Sequence, residues 1–184
     1  MENSEKQPVI DEYHRQLENL IKQAGLTAER ILSYAKLRIE ANERLVLLAS
    51  GILALTFSGA LTLGSRPSFH FDQATLQSLF GAWKLLILSI VCCILANSRE
   101  QHAASLLDSE LLATEFQARL AILDLTGKKL NPSHSMPIQT YKKSKQAQIQ
   151  EQIARLCGWA ARLSVVFALV LLYVFVKRAL IEIH

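Results

Sequence analysis

Three stretches of this 184-residue chain, 45–63, 85–96 and 163–176, contain no charged side chain. With the flanking Lys84, Arg155 and Arg162 at the interfaces, the two shorter blocks also reach roughly 20 residues, the length a helix needs to cross ~30 Å of hydrocarbon. A hydrophobic content of 51% lies near the soluble average, so it is the distribution of apolar residues that decides the class. A soluble bundle that buried all three blocks would be left with little polar surface. The expected fold is therefore all-α: an integral membrane protein with three transmembrane helices, extended by long cytoplasmic amphipathic helices.

Lys and Arg orient these spans. Seven precede residue 45, two lie in 64–84, eight in 97–156 and two after 176. The positive-inside rule then places the N-terminal arm and the middle loop in the cytoplasm, and the short loop and C-terminus outside, with Lys177 and Arg178 in mild dissent. The start, MENSEKQPVIDEYHRQLENL, is polar and mixed in charge, unlike a signal peptide, and its acids argue against a mitochondrial transit peptide. The expected location is the plasma membrane of a bacterium, its inner membrane, with the N-terminus cytoplasmic. Basic flanks facing anionic lipid account for the net charge of +4 and the pI near 9.1 without any nucleic-acid partner.

Four regions follow. Residues 1–44 form an N-terminal cytoplasmic helical arm. Residues 45–98 form a transmembrane hairpin, with spans at about 45–64 and 79–98 and an outer interfacial loop at 65–78. Residues 99–152 form a cytoplasmic helical region with a Pro-containing loop at 127–138, and 153–184 the third transmembrane helix with a short outer tail. In the arm, Tyr13, Leu17, Leu20 and Ala24 mark a helical face ending at Gly25. A second helix is expected from Thr27, as N-cap, and then runs without proline for about 37 residues, ~55 Å, into the membrane. Pro67 breaks the outer connection, and Asp72 caps a short helix bearing Leu76, Leu79, Phe80 and Trp83. Phe69, Phe71 and Trp83 read as an interfacial aromatic belt. Past the second span a stripe of Leu112, Phe116, Leu120 and Leu123 continues the helix to Gly127, and Pro132 and Pro137 mark a hinge.

Chemistry is sparse. No nucleophile elbow, Walker loop, H-E-x-x-H, C-x-x-C or dinucleotide turn occurs, and no Asp, Glu or His lies within the apolar blocks, so the chain reads as a non-enzyme without cofactor or metal. His70 and Asp72 read as solvated side chains rather than a metal pair, and His102 as an interfacial one. Cys92, Cys93 and Cys157 fit neither a disulfide framework nor a metal site and suit soft packing.

What the spans do carry is small or weakly polar residues at i, i+4: Ser50, Ala54, Ser58 and Thr62 beside Gly51 and Gly59; Ser89, Cys93 and Asn97; Ala160, Ser164 and Ala168. Such faces let bilayer helices approach closely. They serve packing within one protomer, or they line a narrow pore built from several copies, where hydroxyls replace part of an ion's hydration shell. Lys142, Lys143, Lys145, Arg155 and Arg162 cluster at the inner end of the third span, where they contact lipid headgroups or an acidic partner.

The order of a charged helix, SYAKLRIEANERL, running into a small-residue span, then an outer turn, a second span and the helix NSREQHAASLLDSELLATEF, resembles the SLATT superfamily across residues 27–126. The likeness is architectural, and the third span is an addition to that family's usual two-span hairpin. It implies a bacterial membrane effector of conflict or antiphage systems that forms pores under the control of a companion sensor. The expected function is a homo-oligomeric channel or pore-forming effector gated through its cytoplasmic helices. The alternative is a non-conducting anchor that recruits a cytoplasmic protein partner through 1–44 and 99–152.

Overall fold

The structure is a computed structural model that describes residues 7–65, 71–127 and 144–183. Three helices account for it: α1 (Gln7–Gly64), α2 (Gln73–Gly127) and α3 (Lys145–Ile183). Among the described residues there is no strand. Each helix is long and apolar enough to cross a membrane, and the chain is a multi-pass, all-α membrane protein.

The helix boundaries follow local chemistry. α1 does not end at Gly25. No proline accompanies that glycine, and the Thr27 hydroxyl donates back to the Gln23 carbonyl at 2.8 Å instead of capping a new helix. A lone mid-helix glycine costs only about 1 kcal/mol, so one 58-residue helix replaces the two expected. α2 begins where Leu76 N–H donates to the Asp72 carbonyl at 3.0 Å. The short helix expected there is simply its first turns, because nothing interrupts 73–98. α3 begins at Ser144, whose hydroxyl accepts the Ala147 N–H at 3.1 Å as an N-cap. The hinge at Pro132 and Pro137 lies outside the described residues, as do Pro67, Phe69 and His70.

Two compact units divide the chain, and both draw on all three helices. The first, Met1–Lys36 with Gln101–Ile149, buries Leu17, Ala35, Ala103, Leu107, Leu111 and Ala147. Its Glu110 carboxylate accepts the Ser144 N–H at 3.5 Å, which ties the start of α3 to α2. The second unit, Leu37–Glu100 with Gln150–His184, contains the apolar blocks. Its core is Ala49, Leu79, Ala82, Leu86, Val165, Ala168, Leu172 and Phe175.

Buried positions in the second unit recur in alternating steps of four and three. On α2 they run Thr75, Leu79, Ala82, Leu86, Ser89, Cys93, Ala96, Glu100, and on α3 Ala154, Gly158, Ala161, Val165, Ala168, Leu172, Phe175, Ala179. On α1 the covered positions are Arg38, Asn42, Leu45, Ala49, Ile52 and Thr56. This 3.5-residue repeat is the seam of a coiled coil, and the many alanines let helices approach closely where lipid provides no hydrophobic drive for association.

At the far end of the bundle, Trp83 is half-buried and its indole N–H donates to the Thr56 hydroxyl at 2.9 Å. Phe57 and Phe80 pack on the same indole with centroids 5.4 and 5.5 Å away, and Phe71 lies 5.8 Å from Phe175. Phe71 and Trp83 thus close the end of the core, rather than serving only as an interfacial belt.

Candidate functional site

Two features of the second unit stand apart from generic packing: an uncovered face on α1, and a charged layer inside the seam.

The small residues divide by helix. Ser89, Cys93, Ser164 and Ala168 are buried, so most of the small faces of α2 and α3 is used within the protomer; Ala160 is exposed, and its neighbour Ala161 takes the buried position instead. Asn97 is half-buried and its side-chain oxygen accepts a 2.8 Å hydrogen bond from the Asn42 amide. Ser50, Ala54, Ser58 and Thr62 are all exposed, and a side-chain carbon added at Gly51 or Gly59 would meet no atom within 4 Å. Within the most apolar 18-residue window of each helix, 6% is buried in α1 against 33% in α2 and in α3. The reason is a shift of about one residue. The branched side chains Leu45, Ile52 and Leu53 turn toward the core, which points the Ser50 stripe away from it.

The charged layer lies just beyond the apolar blocks, where α1, α2 and α3 each place a polar residue at a seam position. Arg38 reaches both neighbours: Nη2 meets Glu100 Oε1 at 2.6 Å and Nη1 meets Glu151 Oε1 at 3.2 Å. The same Glu151 oxygen takes Arg155 Nη2 at 2.6 Å, one turn along α3. The Glu100 side chain is only 5% exposed. Burial pushes its carboxyl above the ordinary range, the Arg38 guanidinium pulls it back, and nearby Glu151 adds to the rise. Arg38 Nε is buried without a hydrogen-bond partner, so the layer satisfies its charges but not every donor.

Beside this layer opens a cleft of about 300 Å³, edged by Arg38, Asn42, Glu100, Arg155, Trp159 and Arg162 and floored by small residues. The Arg162 guanidinium carbon sits 6.0 Å from the Trp159 ring centroid, within cation–π range. Lys145 is exposed at the start of α3 and belongs to the first unit, whereas Arg155 and Arg162 belong to the second, and Lys142 and Lys143 lie outside the described residues.

Neither Arg38, Asn42, Glu100 nor Glu151 stands out as a site residue in the linear sequence. The signal that could find them is their position. Each interrupts a steps-of-four-and-three run of small or apolar residues, where a charge is costly unless paired. Cys92, Cys93 and Cys157 are free thiols, and no group of three or more His, Cys, Asp or Glu gathers among the described residues. His102 is exposed.

No protein-family model matches the chain, and neither a curated protein nor a solved structure does.

Proposed function

We propose that this chain is the subunit of a homo-oligomeric membrane channel or pore-forming effector, held in a bacterial inner membrane with its N-terminus in the cytoplasm. The observation that supports this reading is the uncovered α1 face of Ser50, Ala54, Ser58 and Thr62, opened further by Gly51 and Gly59. Lipid tails gain nothing from small hydroxyl-bearing residues. A second copy of the helix gains close backbone approach and interhelical hydrogen bonds, and a ring of copies would present hydroxyls to a narrow lumen. The resemblance to SLATT effectors points the same way, toward antiphage pore formation gated through the cytoplasmic helices.

The test is purification with stoichiometry by native mass spectrometry, followed by planar-bilayer recording. The expected result is an assembly of roughly four or more copies with measurable conductance. Gly51→Leu and Ser58→Leu should each cut the assembled fraction by about tenfold, as expected when bulk is forced into a close helix contact. Both sites are open in the protomer, so helicity should not change. A wild-type protein that stays monomeric and electrically silent would overturn the reading.

A second reading, a non-conducting anchor, is favoured by a different surface. Leu112, Phe116 and Leu120 are 59%, 63% and 46% exposed, spaced one turn apart on α2 among charged residues such as Asp108 and Glu115. An apolar stripe in a charged setting is a docking face for an amphipathic partner helix. Co-purification of a cytoplasmic protein from mild detergent, lost in Phe116→Asp and retained in Gly51→Leu, would establish the anchor; partner-free protein would exclude it.

A further inference from the structure

We propose that the cleft beside the charged layer binds a phosphate oxyanion, the group that an anionic lipid headgroup carries, with Arg155 and Arg162 as its ligands.

Shape is the first argument. The opening is a cleft of about 300 Å³, large enough for a glycerophosphate head, and its floor is made of Ala96, Ala154 and Gly158. At Gly158, the nearest atom to an added side-chain carbon is Asn42 Oδ1 at 3.8 Å. Small residues at three seam positions therefore hold the helices close while leaving space beside them.

Charge is the second. Three arginines edge the cleft, whereas Glu100 and Glu151 are the carboxylates that engage two of them. Arg38 takes both, and Arg155 shares the Glu151 oxygen. Arg162 forms no ion pair among the described residues and is held only over the Trp159 face. The group is left with one uncompensated positive charge. A guanidinium fork matches two oxygens of a phosphate, and a zwitterionic head brings a cation of its own that opposes this pairing.

Position is the third. Arg155 and Arg162 are two turns apart on one face of α3, with the exposed Trp159 between them, at the end where the charge-free block begins. That is the headgroup level, the usual place for Trp and Arg. Exposed Leu163 and Val166 continue from it into the apolar block, so acyl chains would have a surface to lie along.

Native mass spectrometry of the full chain in detergent, titrated with phosphatidylglycerol, phosphatidylcholine or inorganic phosphate, tests this. Phosphatidylglycerol should be retained about tenfold more than phosphatidylcholine, whose choline cation offsets the same phosphate charge and is repelled by the unpaired guanidinium, and Arg162→Gln and the Arg155→Gln/Arg162→Gln pair should abolish the preference. Displacement by inorganic phosphate would support the site with the oxyanion alone as sufficient ligand; no displacement would support it with the lipid as the source. The Lys177→Gln/Arg178→Gln pair removes the same charge from the other end of the span and should retain the preference. Equal retention of both lipids, or an equal loss in that control pair, would overturn the proposal. Arg162 is exposed and unpaired, so its substitution should leave helicity intact; a loss of helicity would count against its assignment as a ligand.

Discussion

Replacing Arg38 with alanine should destabilise the protein by about 3 kcal/mol, because the substitution leaves a buried carboxylate without its main cation. Glu100 is 5% exposed at its side chain and has Arg38 at 2.6 Å, and Glu151 would lose its own Arg38 contact at 3.2 Å while keeping Arg155. Glu100→Gln should cost far less, under about 1 kcal/mol, because it removes the charge and keeps a polar head of the same size. The pH dependence follows from the raised carboxyl of Glu100. The folded state binds that proton more tightly than the unfolded chain. Its contribution is therefore full below the ordinary carboxylate pKa, and it is lost as pH rises through the raised value. Arg38→Ala removes the opposing cation and should steepen this fall, whereas Glu100→Gln should flatten it. Reversible unfolding in mixed micelles between about pH 4 and 8 reads both effects. An Arg38→Ala protein as stable as wild type, or a Glu100→Gln protein with an unchanged pH slope, would show that the layer carries no such coupling.

Ala82→Leu and Ala168→Leu should each cost about 2–3 kcal/mol in the same assay. Both alanines are fully buried in the core that Leu86 and Phe175 fill, so a larger side chain must push two helices apart. Leu86→Ala should cost less than the 2–5 kcal/mol typical of a water-soluble core, because lipid is as apolar as leucine and only the lost contacts and the cavity count. Ala54→Leu, on the uncovered side of α1, should leave protomer stability within about 0.5 kcal/mol of wild type. If Ala54→Leu were as damaging as Ala168→Leu, the face would be covered within the protomer and the argument for assembly through α1 would fail.

The helical class and the three apolar lengths were legible in the chain itself. An uncharged block of about 20 residues has few alternatives to a membrane helix, since every backbone polar group must find its partner within the segment. The start of α2 after Asp72 was equally local, set where the Asp72 carbonyl accepts the Leu76 N–H. Gly25 was misleading for the opposite reason: a glycine stops a helix only where the chain beyond it has another place to go, and here Thr27 bonds back into α1.

Only the tertiary structure decided which faces are covered. α1 has small residues on two sides, Ala49 with Thr56 on one and Ser50 with Ser58 on the other, and periodicity within one helix cannot rank them. The branched residues Ile52 and Leu53, packed against a core supplied by α2 and α3, make the choice. The same holds for the charged layer. Arg38 and Glu151 are 113 residues apart in sequence, and each taken alone is an ordinary charge near a membrane boundary. What joins them is three seams in register, a property of the packed helices that no single segment contains.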